Sequence, residues 1–168
     1  MNKKQSWRLG LLAGVGTLIA GGSFAQDVIK VNPVVPYASS SVGSPDMQKE
    51  CNWNRQIVEH LVAYSKGLVQ VTDEDLDKVS GKVARMVITN AHSVGGGGFS
   101  GPKWGYINVT LSENGVVISE FEVGSRTNSG GGSWNACGVL ERIAKQLGAR
   151  TAKMLRKPPK PKAAARAE

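Results

Sequence analysis

The side chains in this sequence that are placed for chemistry point to binding before catalysis. Trp104 and Tyr106 flank Gly105, so a strand there puts both rings on one face and Ile107, Val109 and Leu111 on the other. Rings on an outward face can stack on a sugar or anchor a protein partner. Gly96, Gly97, Gly98 and Phe99 lie just upstream, and glycines let a backbone approach a ligand closely. Arg126, just past the next predicted strand, is a candidate anion contact. Gly96-x-Gly98-x-x-Gly101 has the spacing of a dinucleotide fingerprint. Pro102 and a strand follow it, however, where the fingerprint needs a helix N-terminus to meet the pyrophosphate. Pro102 also excludes the Gly-Lys-Ser/Thr ending of a P-loop.

The signals for catalysis are weaker. Glu120 and Glu122 share one strand face and imitate the carboxylate pair of a glycoside hydrolase, but alternating solvent-facing charge explains them more simply. His60 and His92 have no Cys, Asp or Glu at metal-ligand spacing, and no Gly-x-Ser-x-Gly setting surrounds a serine. Two cysteines are too few for a four-cysteine zinc site. No metal and no cofactor is called for.

The elements that must hold these residues can be read from periodicity and turn chemistry. Val28 to Val31, continuing to Val34 and Val35, reads as a first strand. Pro33 and Pro36 confine it to an edge or place its ends. Ser44 or Asp46 caps a helix running to about Ser65, with Met47, Cys51, Ile57, Val58, Leu61, Val62 and Tyr64 along its apolar stripe. Leu68 to Val71 is a short strand, followed by an acidic turn at Asp73, Glu74, Asp75 and Asp77. Strands are predicted over 82–94, 103–111 and 116–123, the last two joined by Asn114-Gly115, a strong hairpin signal. After the Ser129-Gly-Gly-Gly-Ser133 loop, Ser133 or Asn135 caps a helix to about Leu155, with Leu140, Ile143, Ala144, Leu147, Thr151 and Met154 on one face. The order β-α-β-β-β-β-α predicts an α+β fold. It is a two-layer sandwich of a mainly antiparallel sheet with two helices on one face, because the strand meander cannot bury its apolar side alone. Cys51 and Cys137 then fall near the starts of the two helices; with both helices on one sheet face those starts can approach each other, and export to an oxidising compartment predicts a disulfide between them.

The chain has 168 residues, 40% of them hydrophobic and 20% charged, enough for one domain with a packed core. Its charge of +8 is unevenly spread. Residues 26–149 carry 11 basic and 12 acidic side chains, which argues against a nucleic-acid-binding face on the body. Residues 1–25 read as a signal peptide. Lys3, Lys4 and Arg8 precede an uncharged stretch with five glycines, and Ser23-Phe24-Ala25 supplies a cleavage site. That stretch is short of the roughly 20 apolar residues a membrane span needs, so no span remains after cleavage and the mature protein is expected to be periplasmic or secreted. Residues 156–168 read as a flexible Pro/Ala-rich tail. Lys157, Lys160, Lys162 and Arg166 there can meet anionic polymer or lipid by a salt-sensitive attraction.

From His92-Ser-Val-Gly-Gly-Gly-Gly-Phe-Ser-Gly-Pro-Lys-Trp104 through the hairpin to the Ser/Gly loop and closing helix, the chain resembles small exported bacterial proteins of unknown function. It is similar in pattern to envelope lipoproteins with a Gly-rich hairpin, over roughly residues 68 to 155. The likeness implies an α+β envelope domain and transfers no catalytic residue; the lipobox cysteine of the lipoproteins is missing. The sequence therefore reads as an exported noncatalytic binding or assembly module with an envelope protein or anionic envelope component as partner, and with an oligomer open to it. The alternative is a small envelope hydrolase or carbohydrate-binding enzyme built around Trp104, Glu120 and Glu122.

Overall fold

The computed structural model describes residues 28–93, 102–127 and 136–160. The predicted signal peptide, the Gly-rich loop with Gly96, Gly97, Gly98 and Phe99, the Ser/Gly loop at 129–133, and Lys162 and Arg166 of the tail lie outside the described residues.

The fold is α+β, with three helices and a five-stranded mixed sheet. The strands are β1 (Ile29–Val31), β2 (Val69–Val71), β3 (Lys82–His92), β4 (Lys103–Glu113) and β5 (Val116–Thr127), in the order β2-β1-β3-β4-β5. The long strands β3, β4 and β5 pair antiparallel as expected, whereas β1 lies between β2 and β3 and is parallel to both. That makes β1 an interior strand, and Pro33 marks its end, as proline must where the ladder needs an N–H.

The β4–β5 turn is built by Asn114 and Gly115, with φ of 51° and 83°. Two successive positive φ values define the type I′ hairpin turn, which asparagine and glycine tolerate best. The Asn114 side chain also accepts a hydrogen bond from the Gly81 N–H at 2.8 Å, tying the hairpin to the entry of β3.

The helix expected over 44–65 is two helices, α1 (Pro45–Glu50) and α2 (Trp53–Ser65). Ser44 caps α1 by accepting from the Met47 N–H, and Pro45 occupies the first turn, where its missing N–H costs nothing. Cys51 is extended (φ −106°, ψ 117°) and breaks the run. The bend lets Cys51 reach Cys137 and sends Trp53 into the core. Tyr64, placed by periodicity on the buried stripe, is exposed instead, and Trp53, Ile57 and Leu61 form the inner row. The last helix, α3 (Ala136–Arg156), buries Leu140, Ile143, Ala144, Leu147 and Thr151 on one side.

The core lies where α2 and α3 meet each other and the sheet. Its sheet side is Ala84, Met86 and Ile88 of β3 with Ile107, Val109 and Leu111 of β4. Two glycines permit close approaches between these layers. A side chain at Gly148 of α3 would meet the Leu61 N and the Ile57 carbonyl oxygen of α2 at under 3 Å, so the helices cross backbone to backbone there. A Cβ on Gly105 would meet the Trp53 ring at 2.9 Å. Trp53 is fully buried, and its indole N–H donates to the Tyr37 hydroxyl at 2.7 Å. Burial pushes the Tyr37 phenol above the usual tyrosine range, although that same N–H favours the phenolate.

The disulfide joins Cys51 to Cys137, with Cα atoms 5.1 Å apart, and clips the α1–α2 bend to the first turn of α3. On the opposite side of the sheet, the acidic segment after β2 crosses over β3 as more than a turn. Leu76 and Val79 cover Val83, and Glu74 and Asp77 pair with Lys30 and Arg85 at 3.5 and 2.5 Å.

Candidate functional site

Among the described residues, the face of the sheet turned away from α2 and α3 gathers aromatic and charged side chains that the sequence singled out. Strand register fixes their neighbours. His92, Trp104 and Arg126 form one row across β3, β4 and β5, and Asn90, Tyr106 and Gly124 form the next. Asn108 and Glu122 are paired in the row beyond, and Thr110 and Glu120 in the one after.

Trp104 is the centre of the first row. The His92 ring stacks on it, with centroids 4.0 Å apart and planes inclined by 15°. From the other flanking strand, the Arg126 guanidinium stands 5.9 Å from the ring centroid, within reach of a cation–π attraction. The indole N–H donates to the Asn90 side-chain oxygen at 3.1 Å. Trp104 is thereby held in one orientation while remaining only partly buried. Its neighbour Tyr106 lies over Gly124, where a Cβ would come within 2.5 Å of the ring. A ring covering a glycine on the adjacent strand is a recognised device for filling the gap a missing side chain leaves in a sheet. Asn90, Trp104, Tyr106, Glu122 and Arg126 together line an open depression of about 430 Å³.

The structure thus brings together Trp104, Tyr106 and Arg126, and adds Asn90, His92 and Glu122. Alternation along β3 gives the wrong face for the first two of these. Ile88 points into the core, and a regular strand would send Asn90 and His92 the same way. The register instead slips by one residue between Ile88 and Asn90. Thr89 is the extra residue, a β-bulge, and beyond it Asn90 and His92 face outward while Ala91 turns in.

Glu120 and Glu122 stand side by side on β5, both exposed, and only Glu122 borders the depression. Among the described residues, no group of three His, Cys, Asp or Glu side chains gathers where it could hold a metal ion. Lys157 and Lys160 at the root of the tail are exposed, yet the tail does not leave the body at residue 156. The Ser119 hydroxyl donates to the Pro159 carbonyl at 2.7 Å, holding residues 157–160 against the inner side of β5. Among the described residues, no helix is long and apolar enough to cross a membrane.

Compared with known protein families and with curated proteins, the sequence matches none. Among solved structures, the chain is similar to the PelC dodecamer from Paraburkholderia phytofirmans in two crystal forms. Both are 15% identical to it and cover 84% of PelC, with 73% and 74% of this chain matched and TM-scores of 0.40 and 0.45. It is also similar to a Xanthomonas campestris protein of the DUF330 family, at 10% identity and a TM-score of 0.48, over 74% of this chain and 81% of the other.

Proposed function

We propose that this chain is an exported, noncatalytic binding or assembly module of the cell envelope that grips a protein partner with the outer face of its sheet. The observation that carries the reading is the His92–Trp104–Arg126 row, bordered by Tyr106 and the depression beside it. Tryptophan, tyrosine and arginine supply most of the energy at protein interfaces, above all when their orientation is fixed before contact. The row favours a protein over a saccharide. A sugar needs an open ring face to stack on, and Trp104 already has His92 on its ring at 4.0 Å and Arg126 beside it. What Trp104 offers outward is an edge set among polar groups. The Cys51–Cys137 bond supports export, since such bonds persist in oxidising compartments. The basic tail adds a salt-sensitive attraction to anionic envelope material.

The test is recovery of bound protein from the exporting cell's envelope by tagged full-length chain, the Trp104→Ala variant and a form lacking residues 161–168. The full-length and shortened chains are expected to retain the same partner, and Trp104→Ala to weaken it at least tenfold, the scale of an interface hot spot at roughly 2 kcal/mol. Equal recovery by Trp104→Ala would remove the outer face from the function. The second reading, a saccharide site with or without hydrolysis, rests on Glu122 and Asn90 beside the rings. It requires saturable binding of a soluble envelope saccharide that Glu122→Gln weakens.

A further inference from the structure

The two edge strands of the sheet differ in length. β2, at one edge, has three residues, whereas β5, at the other, runs for twelve. Shortness is one device that keeps an edge from pairing with another chain; a lysine, a proline, a bulge or an inward-pointing charge is another. From Ser119 to Thr127, β5 has no lysine, no proline and no inward-pointing charge, and its pairing with β4 runs without a register shift. Among the described residues, no backbone hydrogen bond joins β5 to any element but β4. The Thr89 hydroxyl donates to the Tyr106 carbonyl at 3.5 Å, so Tyr106 turns its backbone groups toward β3. Directly opposed residues of an antiparallel ladder face either toward each other or both away. Gly124, opposite Tyr106, therefore turns its N–H and C=O to the open edge. The Arg150 guanidinium of α3 donates to that carbonyl, as one left unpaired by β4 permits. By alternation Glu120, Glu122 and Arg126 present their backbone groups to the same edge, and their side chains are exposed.

The order of charges along this edge selects what can pair with it. Laid antiparallel against a second copy of itself, with Val123 on the two-fold axis, β5 sets Glu120 opposite the copy's Arg126. It sets Arg126 opposite the copy's Glu120, and Glu122 opposite Gly124. Opposite charges in directly opposed positions stabilise a pair of strands, and like charges destabilise it. An axis at Phe121 or Glu122 brings glutamate against glutamate. An axis at Gly124 pairs Glu122 with Arg126 but runs Glu120 past the end of the strand at Thr127. The Val123 register alone uses the whole segment from Ser119 to Thr127 and forms the ion pair twice. Arg126 meets Trp104 by a cation–π attraction, which uses none of its N–H donors. The Gly124 carbonyl has two lone pairs, so it can accept from a strand while Arg150 is bound to it.

We infer that two copies of this chain join through β5, antiparallel about Val123, so that their sheets run on as one and both Trp104 rows lie on the same side. The contact is isologous and closes at a dimer. It is a different surface from the one proposed to grip a partner protein, and it is tested without that partner. Sedimentation equilibrium of the disulfide-bonded protein, purified after export, should show a monomer–dimer equilibrium at micromolar concentrations. The amides of Glu120, Glu122 and Arg126 should exchange more slowly with solvent as the dimer forms. Glu122→Pro should abolish the dimer, because it removes an edge N–H that β4 does not use. Glu120→Arg sets arginine against arginine twice and should weaken the dimer roughly tenfold or more. Arg126→Glu should do the same, and the two together should return the affinity to within about threefold of the parent. That rescue cannot come from damage to the fold. The inference is overturned by a monomer at every concentration, by a dimer that Glu122→Pro leaves intact or whose β5 amides exchange freely, or by failure of the paired charge exchange to rescue. Rescue by Glu122→Arg with Arg126→Glu instead overturns the Val123 register.

Discussion

Two glycines on neighbouring strands each make room for an aromatic ring, one on either side of the sheet, and the two rings have different surroundings. On the inner side Trp53 lies against Gly105, is fully buried and has its N–H bonded to Tyr37. On the outer side Tyr106 lies over Gly124 and stays partly exposed. The same local device thus supports the fold on one side and sets the posture of a contact surface on the other. A substitution at the inner glycine should be read in stability, and one at the outer glycine in binding.

The strongest challenge to this division is removal of the clip that holds the helices over the inner side. Cys51→Ala with Cys137→Ala opens a loop of 86 residues, and the chain-entropy estimate for such a loop is about 4 to 5 kcal/mol as an upper figure. Urea denaturation of the variant beside the parent measures it. The outer row contains neither cysteine, so at temperatures where the variant is folded its partner affinity should match the parent's.

Gly105→Ala comes next. The added methyl meets Trp53 at 2.9–3.0 Å and Ile143 at 3.1 Å, and neither neighbour has space to retreat in a packed interior. Overpacking of this kind costs about 1–3 kcal/mol, visible as a lower denaturation midpoint.

Tyr37→Phe probes the same ring from its polar end. It leaves the buried Trp53 N–H without its acceptor, at a cost of about 1–3 kcal/mol. It also changes the alkaline limb of stability. The folded phenol titrates above the ordinary tyrosine range, so the unfolded chain releases that proton first. The associated stability is intact below about pH 10, the ordinary tyrosine value, and falls as pH rises through the folded value. Melting temperatures measured across that range should fall less steeply in Tyr37→Phe.

Gly124→Ala should have the smallest effect on stability, within about 1 kcal/mol for a site on a partly exposed sheet face. Its methyl would nevertheless displace the Tyr106 ring, and partner recovery should fall although melting barely changes. A stability loss as large as that of Gly105→Ala would erase the distinction between the two sides.

Much of the fold was legible where local chemistry and tertiary need coincide. Asn114-Gly115 announces its turn because few other pairs accept two positive φ values. The α3 stripe from Leu140 to Thr151 repeats long enough for its period to be unmistakable. The disulfide followed from two cysteines falling near helix starts. The parallel pairing of β1 and β2 was not legible, because three residues each carry no pattern that sets direction. Nor was the bend at Cys51, which exists to satisfy contacts with Cys137 and the core that are distant in sequence. Trp53 was available in principle, since it is spaced four residues from Ile57 and eight from Leu61 along one helix face. Of the site, Trp104 and Tyr106 could be assigned to one face from β4 alone, whereas their partners required the pairing of three strands.

Thr89 gives the sheet something like a reading frame. Everything in β3 before it is in one phase, and Asn90, Ala91 and His92 are in the other. Excise that single residue and Ala91 would turn to solvent while an amide and an imidazole entered the core beside Ile88. Trp104 would then lose both its hydrogen-bond acceptor and its stacking partner, although every residue of the outer row was still present in the chain. For this surface, the length of one strand is as much a determinant as the identity of any side chain on it.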